Sequence, residues 1–334
     1  MMPTVSELQT VSPDDRARIL AAPRTSAAHR GLLASLPGMN AVQCGGTPRA
    51  VQLPDKFPVV AWNLERCLFP EDSAAHLADI APQVILLSEM DHGMARTKQR
   101  HTTEVMAQAL GMTYAFGVEF FEMDLGGETE RPFCEDDVNA CGWHGNAILS
   151  TAPFEKVTMI RLDDHGYWFS QDGGGDAGQP RVGGRNAIAA VVPTAAGLLC
   201  VVSTHLESNA GVLHRAKQFD VLMAAVDAFA PGLPVVIGGD LNTGNHLPPD
   251  FDWRKEALFA NAEQQGYDWS FTADGITTRP SLITPHPERQ MKLDWICGRG
   301  VGCASKGILP SIDLTGRPLS DHDAVIASVS VGLL

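Results

Sequence analysis

No stretch of this sequence reaches the roughly 18 consecutive apolar residues that a bilayer-spanning helix needs, so no membrane span is expected. The N-terminus has no basic segment leading into an apolar run, so no secretory leader is expected there. Basic residues are scarce, with 25 Lys and Arg against 39 Asp and Glu for a net charge of −14. Proteins that grip nucleic acid gain affinity by neutralising phosphates with Lys and Arg. Long DNA or RNA is therefore a poor expectation as partner, although a local basic patch can sit inside an acidic total. The seven cysteines are an odd number and none has zinc-motif spacing. Reduced thiols in a cytoplasmic protein are the expectation, with a Cys134–Cys141 loop bridge as the lesser alternative.

What is present fits one α/β enzyme. The 334 residues are 44% hydrophobic and 19% charged, enough to bury a large core. Residues 1–55 read as a helical appendage, with Ser12-Pro13-Asp14-Asp15 as a helix start and a second short helix from Ser26 to Leu36. Residues 56–334 read as the catalytic domain. There the pattern changes to short apolar runs bounded by turn signals, such as Val59-Val60-Ala61-Trp62, Val84-Ile85-Leu86-Leu87 and Val235-Val236-Ile237. Thr103 to Leu110 and Val212 to Phe229 have helical periodicity. Near-continuous apolar strands mixed with helices imply sheets buried on both faces. Two polar stretches, Asp124 to Gly142 and Gln171 to Gly184, read as surface loops beside a site.

The main chemical signal is that several strands end in polar residues. Trp62 leads to Asn63, Ser88 to Glu89, Thr204 to His205, Gly239 to Asp240, Leu293 to Asp294, and Ser320 to Asp321-His322. Ligands of open α/β folds collect outside one end of the sheet, so these ends point to one shared site. Taken singly, each has a plainer role, such as an Asp that caps the next turn. The conjunction favours function.

The set Trp62-Asn63-Leu64-Glu65, Ser88-Glu89-Met90-Asp91, Gly145-Asn146-Ala147-Ile148-Leu149-Ser150, Ser203-Thr204-His205-Leu206, Gly239-Asp240-Leu241-Asn242, Lys292-Leu293-Asp294-Trp295-Ile296 and Ser320-Asp321-His322 resembles the endonuclease/exonuclease/phosphatase superfamily of DNase I-like enzymes. The resemblance runs in the same order from about Phe57 to Val331. It implies a four-layered α/β sandwich, with two central mixed β-sheets flanked by helices. It also implies phosphoester hydrolysis with Mg²⁺ or Mn²⁺. Glu89, Asn63 and Asp321 become the expected cation ligands, all hard oxygen donors. Asp240 is expected to deprotonate the attacking water with help from Asn242. His322, with its tautomer fixed by Asp294, is expected to donate to a phosphoryl oxygen or to face a second ion, and His205 and Asn146 to stabilise phosphoryl charge.

Outside those motifs, Arg185 reads equally as a phosphate clamp or a surface residue. Trp143 and His144 either pack on a substrate ring or anchor the acidic loop. Arg215 and Gln218 share a helical face that either shapes the site or is solvated. Trp253, Trp269 and Arg279 are weaker candidates for leaving-group contacts. Arg96, Lys98, Arg100 and His101 either steer an anionic substrate or form a polar helix start, with the latter preferred. The acidic loop opposes a polyanion and favours a small phosphoester: a metabolite, nucleotide or lipid head group. The alternatives are a nuclease, a metal-dependent lyase on the same fold, and a non-catalytic binding protein.

Overall fold

Val59, Val60, Ala61 and Trp62 alternate between two different cores, which explains why they read as an unbroken apolar run. Val59 and Ala61 face the space between two sheets, while Val60 and Trp62 face a layer of helices. Val84, Ile85, Leu86 and Leu87 divide the same way.

The computed structural model describes residues 2–174, 180–244 and 252–332. The strands are β1 (Thr4–Val5), β2 (Val42–Gly46), β3 (Lys56–Arg66), β4 (Val84–His92), β5 (Thr113–Phe121), β6 (Trp143–Ser150), β7 (Lys156–Arg161), β8 (Val182–Gly183), β9 (Asn186–Thr194), β10 (Gly197–His205), β11 (Val235–Asp240), β12 (Asp294–Arg299), β13 (Gly302–Leu309) and β14 (Ala324–Ser330). The helices are α1 (Pro13–Ala21), α2 (Ser26–Ser35), α3 (Pro70–His76), α4 (Thr102–Leu110), α5 (Val212–Phe229) and α6 (Ala257–Gln264).

One mixed sheet runs β1-β2-β5-β6-β4-β3-β14-β13, with β8 added on β5, and the second runs β12-β11-β10-β9-β7. Between them lie Leu86, Ile148, Ile188, Val201, Val236 and Ile296. Helices α1 to α4 cover the outer face of the first sheet through Ile19, Leu32, Ala74 and Met106. Helices α5 and α6 cover the second through Phe219, Leu222 and Leu258. The result is the expected four-layered sandwich.

The N-terminal segment departs from the expectation of a purely helical appendage. Its helices are there, and Ser12 caps α1 by accepting the Asp15 N–H at 3.1 Å. It also supplies two strands, because β2 pairs antiparallel with β5 along Val42–Gly46 and β1 pairs parallel with β2. The unpaired edge of β5 has to be covered, and the short Gly-bearing β2 does so. Gly38 presses on the Trp143 ring, where an added Cβ would lie 2.7 Å from it.

Candidate functional site

Adjacent strand ends put the key side chains in a row. In the second sheet, His205 pairs in register with Asp240, and Asp240 with Asp294. In the first sheet, Asn63 pairs with Ser88, and the register slips before Met90. Glu89 sits in that bulge with φ +58°, and Glu65, Arg66 and Cys67 follow Asn63 at φ +43°, +76° and +56°. A non-glycine residue in this region costs roughly 1–2 kcal/mol, and such outliers persist where the surroundings over-determine them. Gly239 has a different constraint. A Cβ there would stand 1.9 Å from the Thr204 carbonyl, so only glycine lets β10 and β11 approach beside Asp240.

Hydrogen bonds then lock the row together across both sheets. Ser203 Oγ donates to the Leu87 carbonyl (2.9 Å), below Glu89. Ser320 Oγ donates to the Asn63 carbonyl (2.7 Å), and Trp62 Nε1 donates to the His322 carbonyl (3.0 Å), which pins the Ser320–His322 loop. Asn63 Nδ2 donates to Glu89 Oε1 (3.1 Å) and to Asp240 Oδ2 (3.0 Å). The Asn242 N–H donates to Asp240 Oδ1 (2.8 Å). Asp240 therefore has both oxygens oriented.

Three imidazoles each rest Nδ1 on a buried carboxylate: His322 on Asp294 (2.7 Å), His144 on Asp91 (2.8 Å) and His205 on Glu119 (3.2 Å). Nε2 of His322 and of His205 then lies 3.7 and 3.6 Å from Asp240 Oδ2. Burial works against a charge on His322, but Asp294, Asp321 and Asp240 raise its pKa well above the usual value. Burial and Arg185 oppose a charge on His205, and Glu119 and Asp240 outweigh them, so its pKa is also raised. Burial pushes Glu119 up, but His205 and Arg185 hold it at about 2.

These groups open onto one cleft of about 480 Å³, lined by Glu65, Glu89, His144, His205, Asp240 and His322 among others. Arg185, Asn242, Asp321 and Arg279 also line it. Asn63 and Asp294 stand directly behind that lining, through the bonds above.

The structure does not bring every candidate to the cleft. Trp143 is fully buried and stacks edge-on with Phe121, so it anchors the core. Asn146 is fully buried and donates to Asn186 Oδ1 (2.8 Å), which ties β6 to β9. Trp253 and Trp269 pack with Phe259 and Trp295. Arg215 is neither solvated nor lining; it is buried against Glu256 (3.0 Å). Arg96, read as part of a polar helix start, is buried among Asp91, Glu122 and Glu130. Arg185 is clamped between Glu119 and Glu207 with 5% exposure, so the surface alternative falls away.

Sequence reasoning also missed several lining or supporting groups. Arg66 pairs with Glu89 and with Glu130 (2.9 Å). Trp168, just before the Gly-rich loop, and Arg181 within it reach the cleft, and residues 175–179 of that loop lie outside the described residues. Glu119 carried a legible signal, as a lone charge inside the apolar run of β5.

The donor set suits a hard divalent cation. Burial together with Asp321 and Glu89 pushes the Glu65 carboxyl up to about 8. Burial, with Glu89 and Asp240 nearby, also raises Asp321. This is an excess of crowded carboxylates that a cation relieves. Asp240, Asp294 and His322 offer ligand atoms within 4.8 Å of one another. Glu89 is held low despite burial, by Arg66, His205 and His144, so a cation held there would share it with the Arg66 guanidinium.

Residues 60–322 match the Endonuclease/Exonuclease/phosphatase family. The chain belongs to this family. Members are generally phosphoester hydrolases that use divalent metal ions. Among curated relatives, the uncharacterized protein YbhP of Escherichia coli K12 is 29% identical over 189 residues, 56% of this chain. The chain spans 63% of the length of that relative. A family structure from Beutenbergia cavernae superposes with a TM-score of 0.59 at 21% identity, covering 83% of this chain and 72% of that one. The human Nocturnin catalytic domain with bound sulfate gives 0.54 at 17% identity, covering 86% and 96%. Both likenesses concern the fold. No helix among the described residues is long and apolar enough to cross a membrane.

Proposed function

We propose that this protein is a divalent-cation-dependent hydrolase of a small anionic phosphoester, with Mg²⁺ or Mn²⁺ as the cation. The observation that carries this reading is Asp240, oriented by Asn63 and by the Asn242 N–H, and faced by Nε2 of His205 and His322. Asp240 accepts the proton of the attacking water, and the two bonds to its oxygens fix which lone pair does so. His322, cationic on its Asp294 support, donates to a phosphoryl oxygen, and its hold strengthens as charge builds there. His205, held by Glu119 and beside Arg185, holds a second oxygen. Glu89 and Asp321 would hold the cation, which would supply Lewis-acid polarisation and part of the charge neutralisation. Asn63, expected as a ligand, donates Nδ2 to Glu89 and Asp240 and accepts the Glu65 N–H at Oδ1, so it orients those carboxylates instead. Asn242 also donates through Nδ2 to the Leu206 carbonyl (2.9 Å), so it shapes the rim around the substrate. The acidic loop from Asp124 to Gly142 and the net charge of −14 oppose a long polyanion. The seven free cysteines suit a reducing compartment such as the cytoplasm.

The test is hydrolysis of p-nitrophenyl phosphate and bis(p-nitrophenyl) phosphate with Mg²⁺, Mn²⁺ or EDTA. EDTA, Glu89→Ala and Asp240→Asn are each expected to abolish turnover. Turnover that survives EDTA, or survives both substitutions, sinks the mechanism. A steeply salt-dependent activity on duplex DNA would instead point to a nuclease.

A further inference from the structure

Among the described residues, all the lysine or arginine side chains lining the cleft are arginines: Arg66, Arg181, Arg185, Arg279 and Arg289. Five guanidinium groups in one cleft stand out in a chain with a net charge of −14. A guanidinium matches phosphate or carboxylate in a two-pronged fashion that an ammonium cannot. The cleft volume of about 480 Å³ also falls within the roughly 300–1,000 Å³ of sites that enclose a whole small molecule.

Two of these arginines, Arg181 and Arg185, share one aromatic ring at the His205 side of the cleft. Arg181 lies over the Trp168 ring at 5.2 Å, and Arg185 lies 6.0 Å from the same ring and 5.3 Å from the Phe120 ring. Both are held by buried acids. Arg181 Nε is 3.2 Å from Glu122, and Arg185 is bound to Glu119 (3.1 Å), Glu207 (3.4 Å) and Ser208 Oγ (3.1 Å). Trp168 Nε1 donates to Glu207 (3.1 Å), which fixes the ring. The loop itself is anchored, because the Gly183 N–H donates to His29 Nε2 (3.0 Å) and the Gln171 N–H to the Arg24 carbonyl (3.0 Å). Preorganised side chains bind with less ordering cost than free surface arginines. Arg185 Nη1 also lies 2.9 Å from His205 Nδ1, so this pair adjoins the reacting end.

We propose that Phe120, Trp168, Arg181 and Arg185 form a subsite for a second anionic group on the substrate. The substrate is then a compact phosphoester that carries another phosphate or a carboxylate a few bonds from the reacting one. This rests on the phosphoesterase reading for what occupies the reacting end.

Calorimetric titration of the whole protein in Mg²⁺ tests it with three probes: propylphosphonate, 3-phosphonopropionate and propane-1,3-bisphosphonate. The first carries one anionic group, the second adds a carboxylate and the third a phosphonate. At least one two-anion probe is expected to bind tenfold or more tightly than propylphosphonate, and the better of the two names the second group. Arg181→Gln and Trp168→Leu are each expected to bring that ratio towards one, and Arg181→Lys to restore part of it. Equal affinities for all three probes in the parent protein overturn the proposal, as does a ratio that survives both substitutions. Hydrolysis of p-nitrophenyl phosphate is read separately. A protein that shows the ratio but hydrolyses nothing keeps the subsite and loses the catalytic reading.

Discussion

Arg66 and Arg96 meet on one carboxylate, with Glu130 2.9 Å from each. Arg96 also binds Asp91 and Glu122 and is 2% exposed, so it is the counter-ion of a buried acidic cluster behind His144. Removing one partner of a buried pair leaves an uncompensated charge and costs about 3–5 kcal/mol. Arg96→Met is expected to lose stability of that size in urea unfolding, and a loss under about 1 kcal/mol would mean the cluster is solvated. His322 has a different signature. In the proposed mechanism its bond to a phosphoryl oxygen strengthens in the transition state, so His322→Ala is expected to lower kcat roughly 10²–10⁴-fold with little change in KM. A change confined to KM would make it a binding residue. The strand-end residues were legible because each follows an apolar run, whereas Arg96 was not, since sequence patterning does not reveal that a charge is buried with partners distant in the chain.

At the scale of elements, β3, β4, β5 and α5 were readable because burial on both faces, or on one stripe, leaves a clear periodicity. The strands β2 and β13 were not, since β2 is short and ends in Gly45-Gly46, and β13 is a Gly-bearing edge strand with exposed positions, so neither carries much apolar pattern. Helix α2 shows what its segment does. Its His29 donates through Nδ1 to the Asp164 carbonyl (3.2 Å) and accepts at Nε2 from Gly183, a neutral tautomer that bridges both ends of the loop bearing Trp168. Burial, opposed by those bonds and by Asp163 and reinforced by Arg161, lowers the pKa of His29. Burial likewise takes His92 down to about 4 and lowers His101, whose ring stacks on His92 at 4.0 Å. The unfolded chain protonates these rings near 6.5. Below that pH the unfolded state therefore binds more protons at these three rings, so their contribution to stability falls as pH drops towards 4, whereas the raised His205, His322 and Glu65 contribute stability that is lost as pH rises. Between pH 6.5 and 4 the melting midpoint of His92→Phe is expected to decline less steeply than that of the parent protein. An equally steep decline in that variant would assign the acid sensitivity to other groups.

Across the whole molecule, the proposed cation site joins parts that fold from distant stretches of chain: Asn63 and Glu89 from the first sheet, Asp240 and Asp294 from the second, and the Ser320–His322 loop that closes on both. A ligand that requires this assembled arrangement binds the native state and not the unfolded chain, so it stabilises the fold by mass action. At a hundredfold excess over Kd the gain is about 2.7 kcal/mol. For a large domain each kcal/mol moves the midpoint by roughly 2 °C, so a rise on the order of 5 °C is expected with saturating Mg²⁺ or Mn²⁺. The crowding of Glu65, Asp321 and Glu89 gives the direction, because a divalent ion removes repulsion that burial otherwise intensifies. Glu89→Gln removes one charge of that group and one expected ligand, so its midpoint is expected to respond little to the cation. Calorimetric melts with and without the metal decide it: a full rise in Glu89→Gln would put the ion elsewhere in the protein, and no rise in the parent chain would leave the carboxylates with Arg66 as their counter-ion.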